Sequence, residues 1–152
     1  MTKILLVCMA NICRSPMACS VARHMARNAG QAALLTFDSA GTHALPGGKR
    51  MDARASAALL NRSYAPDKTR SRQVSEQDFQ HFDLILAMDE SNLKELQRQC
   101  LPMHHHKLRL LLSFAPECGV TEVPDPYYGD TAGFVRVLDL CETAIQGLLA
   151  KL

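Results

Sequence analysis

Cys8 and Arg14 are separated by five residues, and the segment Cys8-Met9-Ala10-Asn11-Ile12-Cys13-Arg14-Ser15 runs directly into Pro16. A loop of that length, leading into a helix, can turn successive backbone N–H groups into one concavity. The helix N-terminus adds partial positive charge there, and the two together suit a phosphate dianion. Arg14 supplies a planar fork able to hold two phosphate oxygens at once. The same field favours a thiolate at Cys8, which would make that sulfur a nucleophile. Six cysteines and eleven arginines in 152 residues give the bare spacing a chance expectation of about 0.4. Requiring the following Ser15 and Pro16 lowers it to about 0.001.

Other readings of these residues exist. Cys8 could end a core strand, with Arg14 a solvated residue of the first helical turn. Cys8 and Cys13 could bind a metal, but zinc sites usually combine closer cysteine pairs with a second pair, and no C-x2-C or H-x3-H element follows. His104-His105-His106 lies in a polar stretch after Pro102 and reads as an exposed loop. A second constellation is Pro124-Asp125-Pro126-Tyr127-Tyr128. Hydrolysis through a phosphocysteine needs a carboxylic acid to protonate the leaving oxygen and then activate water, and Asp125 between two prolines suits that task. Asp-Pro is also a common turn opener.

The elements that would position these groups follow from pattern. Lys3–Val7 is a short apolar run that fits a buried parallel strand. Ser15 reads as an N-cap with Pro16 at the first helical position, and Gly30 closes the helix. Leu34–Ser39, Phe82–Met88 and Lys107–Leu112 read as further strands. Asp52–Leu60, Asp89–Gln99 and Phe134–Leu152 read as helices, with loops at Gly41–Lys49 and Pro124–Gly133. The closing helix places Val137, Leu138, Cys141, Ile145 and Leu148 on its buried side. The pattern predicts a single α/β domain over residues 1–152. Its three layers are a central four-stranded parallel sheet and helices on both faces, with the phosphate-binding loop after the first strand.

Length, 47% apolar content and a net charge of +2 describe an ordinary globular chain and exclude a nucleic-acid footprint driven by overall charge. Asn11 and Arg14 interrupt the apolar run before it reaches secretory length, and no run approaches a membrane span. A cytoplasmic protein with reduced thiols and no membrane partner is expected.

In combination, these segments resemble the low-molecular-weight protein tyrosine phosphatase family over nearly the whole chain. Val7–Pro16 matches its C-x5-R-S loop, and Asp125-Pro126-Tyr127-Tyr128 its acid loop. Ser39-Ala40-Gly41-Thr42, Asp52-Ala53-Arg54-Ala55, Ser71-Arg72-Gln73 and Phe82–Leu93 match in order between them. The resemblance implies a metal-independent, cofactor-free phosphoric monoester hydrolase acting on phosphotyrosine through a phosphocysteine. Cys8 would be the nucleophile, Arg14 the phosphate clamp and Asp125 the acid and base. Met9, Ala10, Asn11, Ile12, Cys13, Arg14 and Ser15 would form the phosphate loop. Asn11, Ser15 and Ser39 would support it, and Cys13 would form a reversible disulfide with Cys8. Leu45, Tyr127 and Tyr128 would line the substrate cleft.

Three positions depart from the family's pattern. Ala10 replaces a usual glycine, and a positive φ there would cost about 1 kcal/mol. Thr69 stands where many members carry a loop-supporting His, and Leu45 where many carry an aromatic residue. The partner implied is a phosphotyrosine-bearing protein, a bacterial tyrosine kinase among the candidates, with no nucleic acid and a monomer or weak homodimer. The alternative on the same fold is a thiol-dependent arsenate reductase. That activity needs a closely spaced downstream cysteine pair, whereas Cys100 and Cys118 are 18 apart. A phosphate-binding module without turnover would be expected to lack Cys8, Arg14 or Asp125.

Overall fold

The computed structural model describes all 152 residues. Strand β1 (Thr2–Cys8) is followed by helix α1 (Arg14–Asn28), strand β2 (Leu35–Gly41), helix α2 (Ala53–Asn61) and helix α3 (Glu76–His81). Strand β3 (Leu84–Ala87), helix α4 (Glu90–Gln99), strand β4 (Leu108–Leu110) and helix α5 (Thr131–Lys151) complete the order, with three short 3-10 helices between α4 and α5. The sheet is four-stranded and parallel in the order β2-β1-β3-β4.

Ile4, Leu5, Leu6 and Val7 are fully buried because β1 lies inside the sheet with both faces covered. Alternate residues of a strand face opposite ways. Ile4, Leu6 and Cys8 therefore join the core shared with α1, α2 and α5, while Leu5 and Val7 join the core under α3 and α4. Each fully buried aliphatic side chain contributes about 2 kcal/mol. Val137, Leu138, Cys141, Ile145 and Leu148 of α5 are all buried, as their spacing predicts. Gly147 lets α5 press against the chain at Phe114, where a Cβ would stand 1.9 Å from the Phe114 carbonyl oxygen.

Several boundaries differ from the sequence reading, and one helix is absent from it. Helix α1 begins at Arg14 with Cys13 as its N-cap, so Ser15 is inside the first turn and its hydroxyl is not a cap. β4 ends at Leu110, because Leu111–Phe114 winds into a 3-10 helix that buries Leu111, Leu112 and Phe114. Helix α5 starts three residues before Phe134, at Thr131. Helix α3 escaped the pattern altogether: it has six residues and buries only Asp78 and Phe79, too few for a visible period. His104–His106 fall in a 3-10 helix, and His105 Nε2 lies 2.8 Å from the Cys100 carbonyl oxygen. No helix is long and apolar enough to cross a membrane.

Candidate active site

The strand order reverses beside β1, and the carboxyl ends of β1 and β3 open into the crevice where ligands bind in such sheets. β1 delivers Cys8 to this edge, and β3 delivers Asp89 one residue beyond Met88. The Met88 N–H donates to the Val7 carbonyl at 3.0 Å, and the Val123 N–H donates to the Met88 carbonyl at 2.8 Å. That ladder carries the chain leading to Asp125 across the mouth of the β1 loop.

Cys8 is 3% exposed at the base of the loop. The Asn11 N–H donates to its Sγ at 3.3 Å, and the Ser15 Oγ lies 3.0 Å from the same sulfur. Asn11 Nδ2 donates to Ser15 Oγ at 2.8 Å, so the Ser15 hydrogen points elsewhere, with Cys8 Sγ at 3.0 Å and the Ala40 carbonyl at 3.4 Å as its acceptors. The backbone N–H groups of Met9, Ala10, Ile12, Cys13, Arg14 and Ser15 have no acceptor within the protein. Loop and helix start therefore leave six backbone donors unpartnered in the segment that follows Cys8, the arrangement an anion completes.

Asn11 holds the loop in shape. It is buried with φ of 59°, a conformation that asparagine tolerates better than most residues. Its Nδ2 also donates to Ser39 Oγ at 2.9 Å, and its Oδ1 accepts the Arg72 N–H at 3.0 Å. Arg72 is itself clamped by Asp38 and Asp78 at 3.1 and 2.9 Å. The positive φ thus falls on Asn11 and not on Ala10, so the Ala10 Cβ carries no strain of that kind. Thr69 does not reach the loop, because its N–H and hydroxyl both donate to Asp67 Oδ1. The support expected near that position comes from the Arg72 backbone instead. Gly41 closes β2 against the loop, where a Cβ would stand 2.6 Å from the Met9 carbonyl oxygen.

Arg14 is 3% exposed, not solvated. Its Nη1 donates to Asp89 Oδ2 at 2.6 Å and to the Val123 carbonyl at 3.0 Å. Its Nη2 lies 3.8 Å from Asp125 Oδ2. Burial alone would lower the Arg14 pKa, but the hydrogen bond to Asp89 and the charges of Cys8, Asp89 and Asp125 outweigh it and hold the guanidinium above its ordinary value. Asp89 lines up with the site as well as starting α4, whereas the sequence reading placed it only at the start of a helix. It does both jobs, because its Oδ1 accepts the Asn92 N–H while Oδ2 takes Arg14. Its position one residue past the β3 core, beside the β1 loop, was the available signal.

Asp125 Oδ1 accepts the Tyr127 N–H at 3.0 Å, which fixes the carboxylate above the loop. Burial, followed by the negative charges of Asp52, Cys8 and Asp125, pushes the Cys13 thiol up to about 12, so Cys13 stays protonated at neutral pH. The cavity over Cys8 has a volume of about 260 Å³. Met9, Ala10, Ile12, Cys13 and Arg14 form its floor, and His43, Leu45, Asp125, Tyr127 and Tyr128 its walls. The structure therefore brings together all three predicted wall residues, Leu45, Tyr127 and Tyr128. It adds His43, which the sequence reading did not single out. Arg54 lies 5.4 Å over the Tyr127 ring, and Tyr128 meets that ring edge-on at 4.9 Å. Such packing holds an aromatic wall beside the opening.

Comparisons with known proteins agree with this geometry. Residues 3–152 match the family model described as low molecular weight phosphotyrosine protein phosphatase. A relative from Synechocystis, named a putative low molecular weight protein-tyrosine-phosphatase, is 42% identical, with 99% of this chain and 96% of that protein covered. One from Streptomyces coelicolor, named a low molecular weight protein-tyrosine-phosphatase, is 40% identical over 97% of this chain and 92% of its own. The crystal structure of a protein tyrosine phosphatase from Entamoeba histolytica with Hepes in its active site superposes with a TM-score of 0.96. It is 38% identical, with 99% of this chain and 96% of that one covered. The full-length match, together with Cys8, Arg14 and Asp125 gathered at one sheet edge, shows that the chain belongs to the low molecular weight phosphotyrosine protein phosphatase family.

Proposed function

We propose that the chain hydrolyses phosphotyrosine in proteins in two steps, through a phosphocysteine at Cys8. One observation carries this reading: a buried sulfur opens a loop with six unpartnered amides, and Arg14 and Asp125, 3.8 Å apart, line the same cavity. The amides and the Arg14 fork cradle the three non-bridging phosphate oxygens, whose charge spreads in the transition state. The Cys8 thiolate attacks phosphorus, the bond from phosphorus to the phenolic oxygen breaks, and the Asp125 carboxyl gives that oxygen its proton. The Asp125 carboxylate then takes a proton from water. The water oxygen bonds phosphorus, the P–S bond breaks, and the departing thiolate is met by the Ser15 hydroxyl. Cys13, a neutral thiol next to the loop, is the partner for a reversible disulfide after oxidation of Cys8.

The walls favour an aryl ester. With Cys8 at the base and Leu45, Tyr127 and Tyr128 rising around it, a ring fills the depth that a short serine or threonine ester would leave empty. Against arsenate reduction, Cys100 packs into the core under α4 and Cys118 against the opposite core, so the sheet separates the two thiols. The test is release of p-nitrophenol from p-nitrophenyl phosphate. Turnover is expected to persist in EDTA and to be blocked by vanadate; absence of turnover, with thioredoxin-dependent arsenate reduction in its place, would overturn the reading.

The acid role of Asp125 makes a sharper prediction. Asp125→Ala is expected to slow hydrolysis of phosphotyrosine by about 10²- to 10³-fold. The loss for p-nitrophenyl phosphate should be smaller, because its leaving group needs less protonation, and phosphate affinity should change little. Equal losses on both esters would exclude a proton-donating role.

A further inference from the structure

A second cavity, of about 520 Å³, lies between residues 50–56 and 66–70. Arg50, Lys68 and Arg70 line it, and none of the three forms an ion pair. Its one carboxylate, Asp67, is turned inward: the side chain is 2% exposed and is paired with Arg23 at 3.0 Å. Three uncompensated cations thus share one concavity in a chain whose total charge is only +2. Nothing within the fold rewards that arrangement, since like charges held together repel. A concave wall of one sign instead focuses its field on an anion outside.

Backbone hydrogen bonds tie this cavity to the catalytic loop. The Asp52 N–H donates to the Ile12 carbonyl at 2.8 Å, and the Arg72 N–H donates to Asn11 Oδ1 at 3.0 Å. The Ser71 N–H donates to the Lys49 carbonyl at 2.8 Å, joining the two segments side by side. Arg50 and Arg70 each stand two residues from one of those loop-bonding positions, at most about 7 Å along the chain. A substrate strand advances about 3.3 Å per residue, so side chains two to four positions from a phosphotyrosine seated over Cys8 stand about 7 to 13 Å from it along the strand.

We propose that the cavity between Arg50, Lys68 and Arg70 binds acidic side chains flanking the phosphotyrosine of a protein substrate. This inference rests on the phosphatase reading of the Cys8 site. Guanidinium forks donate two parallel hydrogen bonds to a carboxylate, and Lys68 adds a mobile point charge to the same cavity. The preference resides in docking and leaves the chemical step alone.

The experiment compares three substrates: p-nitrophenyl phosphate, which reads the Cys8 pocket alone, a phosphotyrosine peptide with Asp and Glu flanks, and the same peptide with Asn and Gln flanks. The wild-type protein is expected to favour the acidic peptide by about tenfold in kcat/KM, through KM, with the preference shrinking as salt is raised. The triple variant Arg50→Gln/Lys68→Gln/Arg70→Gln should turn over p-nitrophenyl phosphate at the wild-type rate and treat both peptides alike. A preference that survives in the triple variant, or a wild-type protein indifferent to the flanks, overturns the inference while leaving the phosphatase reading standing. Failure of that reading shows separately, as no turnover of any of the three. Fluorescence anisotropy with the unphosphorylated acidic peptide at low salt then decides: tighter binding to wild type than to the triple variant supports the cavity, and equal binding overturns it.

Discussion

Replacing Cys8 by serine is expected to lower kcat for an aryl phosphate by about 10⁴-fold or more, with phosphate binding largely kept. Serine is nearly isosteric and leaves the six amides, Asn11 and Arg14 in place, so the cradle survives. What is lost is a polarisable sulfur nucleophile. An alkoxide is far harder to form at neutral pH than a thiolate, and the oxygen would also be a poorer leaving group in the second step. Steady-state kinetics with p-nitrophenyl phosphate, and phosphate affinity by calorimetry, separate the two effects. A variant that binds weakly but turns over at the wild-type rate would contradict the assignment.

Arg14→Lys is expected to cost about 10³-fold in kcat despite keeping the charge. In the structure, Nη1 is committed to Asp89 and the Val123 carbonyl, which leaves the other edge of the same plane for phosphate. The two functions depend on one rigid group facing two ways. An ammonium can satisfy Asp89 or the phosphate oxygens, and it cannot span two equatorial oxygens in the transition state. The loss should fall mainly on kcat, with a lesser rise in KM, and vanadate, which mimics the transferring group, should bind more weakly in proportion. A lysine variant within a few-fold of wild type would show that Arg14 is structural.

The segment proposed to carry nucleophile and clamp was legible in the sequence because C-x5-R-S is local: one strand end, one loop and one helix start contain it. The sheet and most helices were legible for a similar reason, through the apolar β1 run and the α5 spacing. Residues acting across the fold were harder to read. Asp89 lies 75 positions from Arg14, and only the adjacency of β1 and β3 brings the two together. The Arg72 backbone supports Asn11 from 61 positions away, in a segment with no regular element of its own. Ser15 was misread as a cap because Pro16 marks a helix start. The helix in fact begins one residue before Ser15, freeing the hydroxyl for Cys8 and Asn11. The positive φ whose cost at Ala10 was weighed falls on Asn11, whose side-chain bonds hold it in that conformation. Asp125 was identifiable from its proline-flanked motif and family resemblance. Its place above the loop depends on the Val7–Met88–Val123 ladder, which no local pattern encodes.

The claim that Cys8 carries the phosphoryl group is tested most directly by rapid acid quench during turnover of an aryl phosphate, followed by peptide mass spectrometry. The wild-type protein should show one added phosphoryl group on the peptide containing Cys8, absent from the Cys8→Ser protein and chased by water on a turnover timescale. Phosphate found on another residue, or full turnover with no adduct on Cys8, would contradict it.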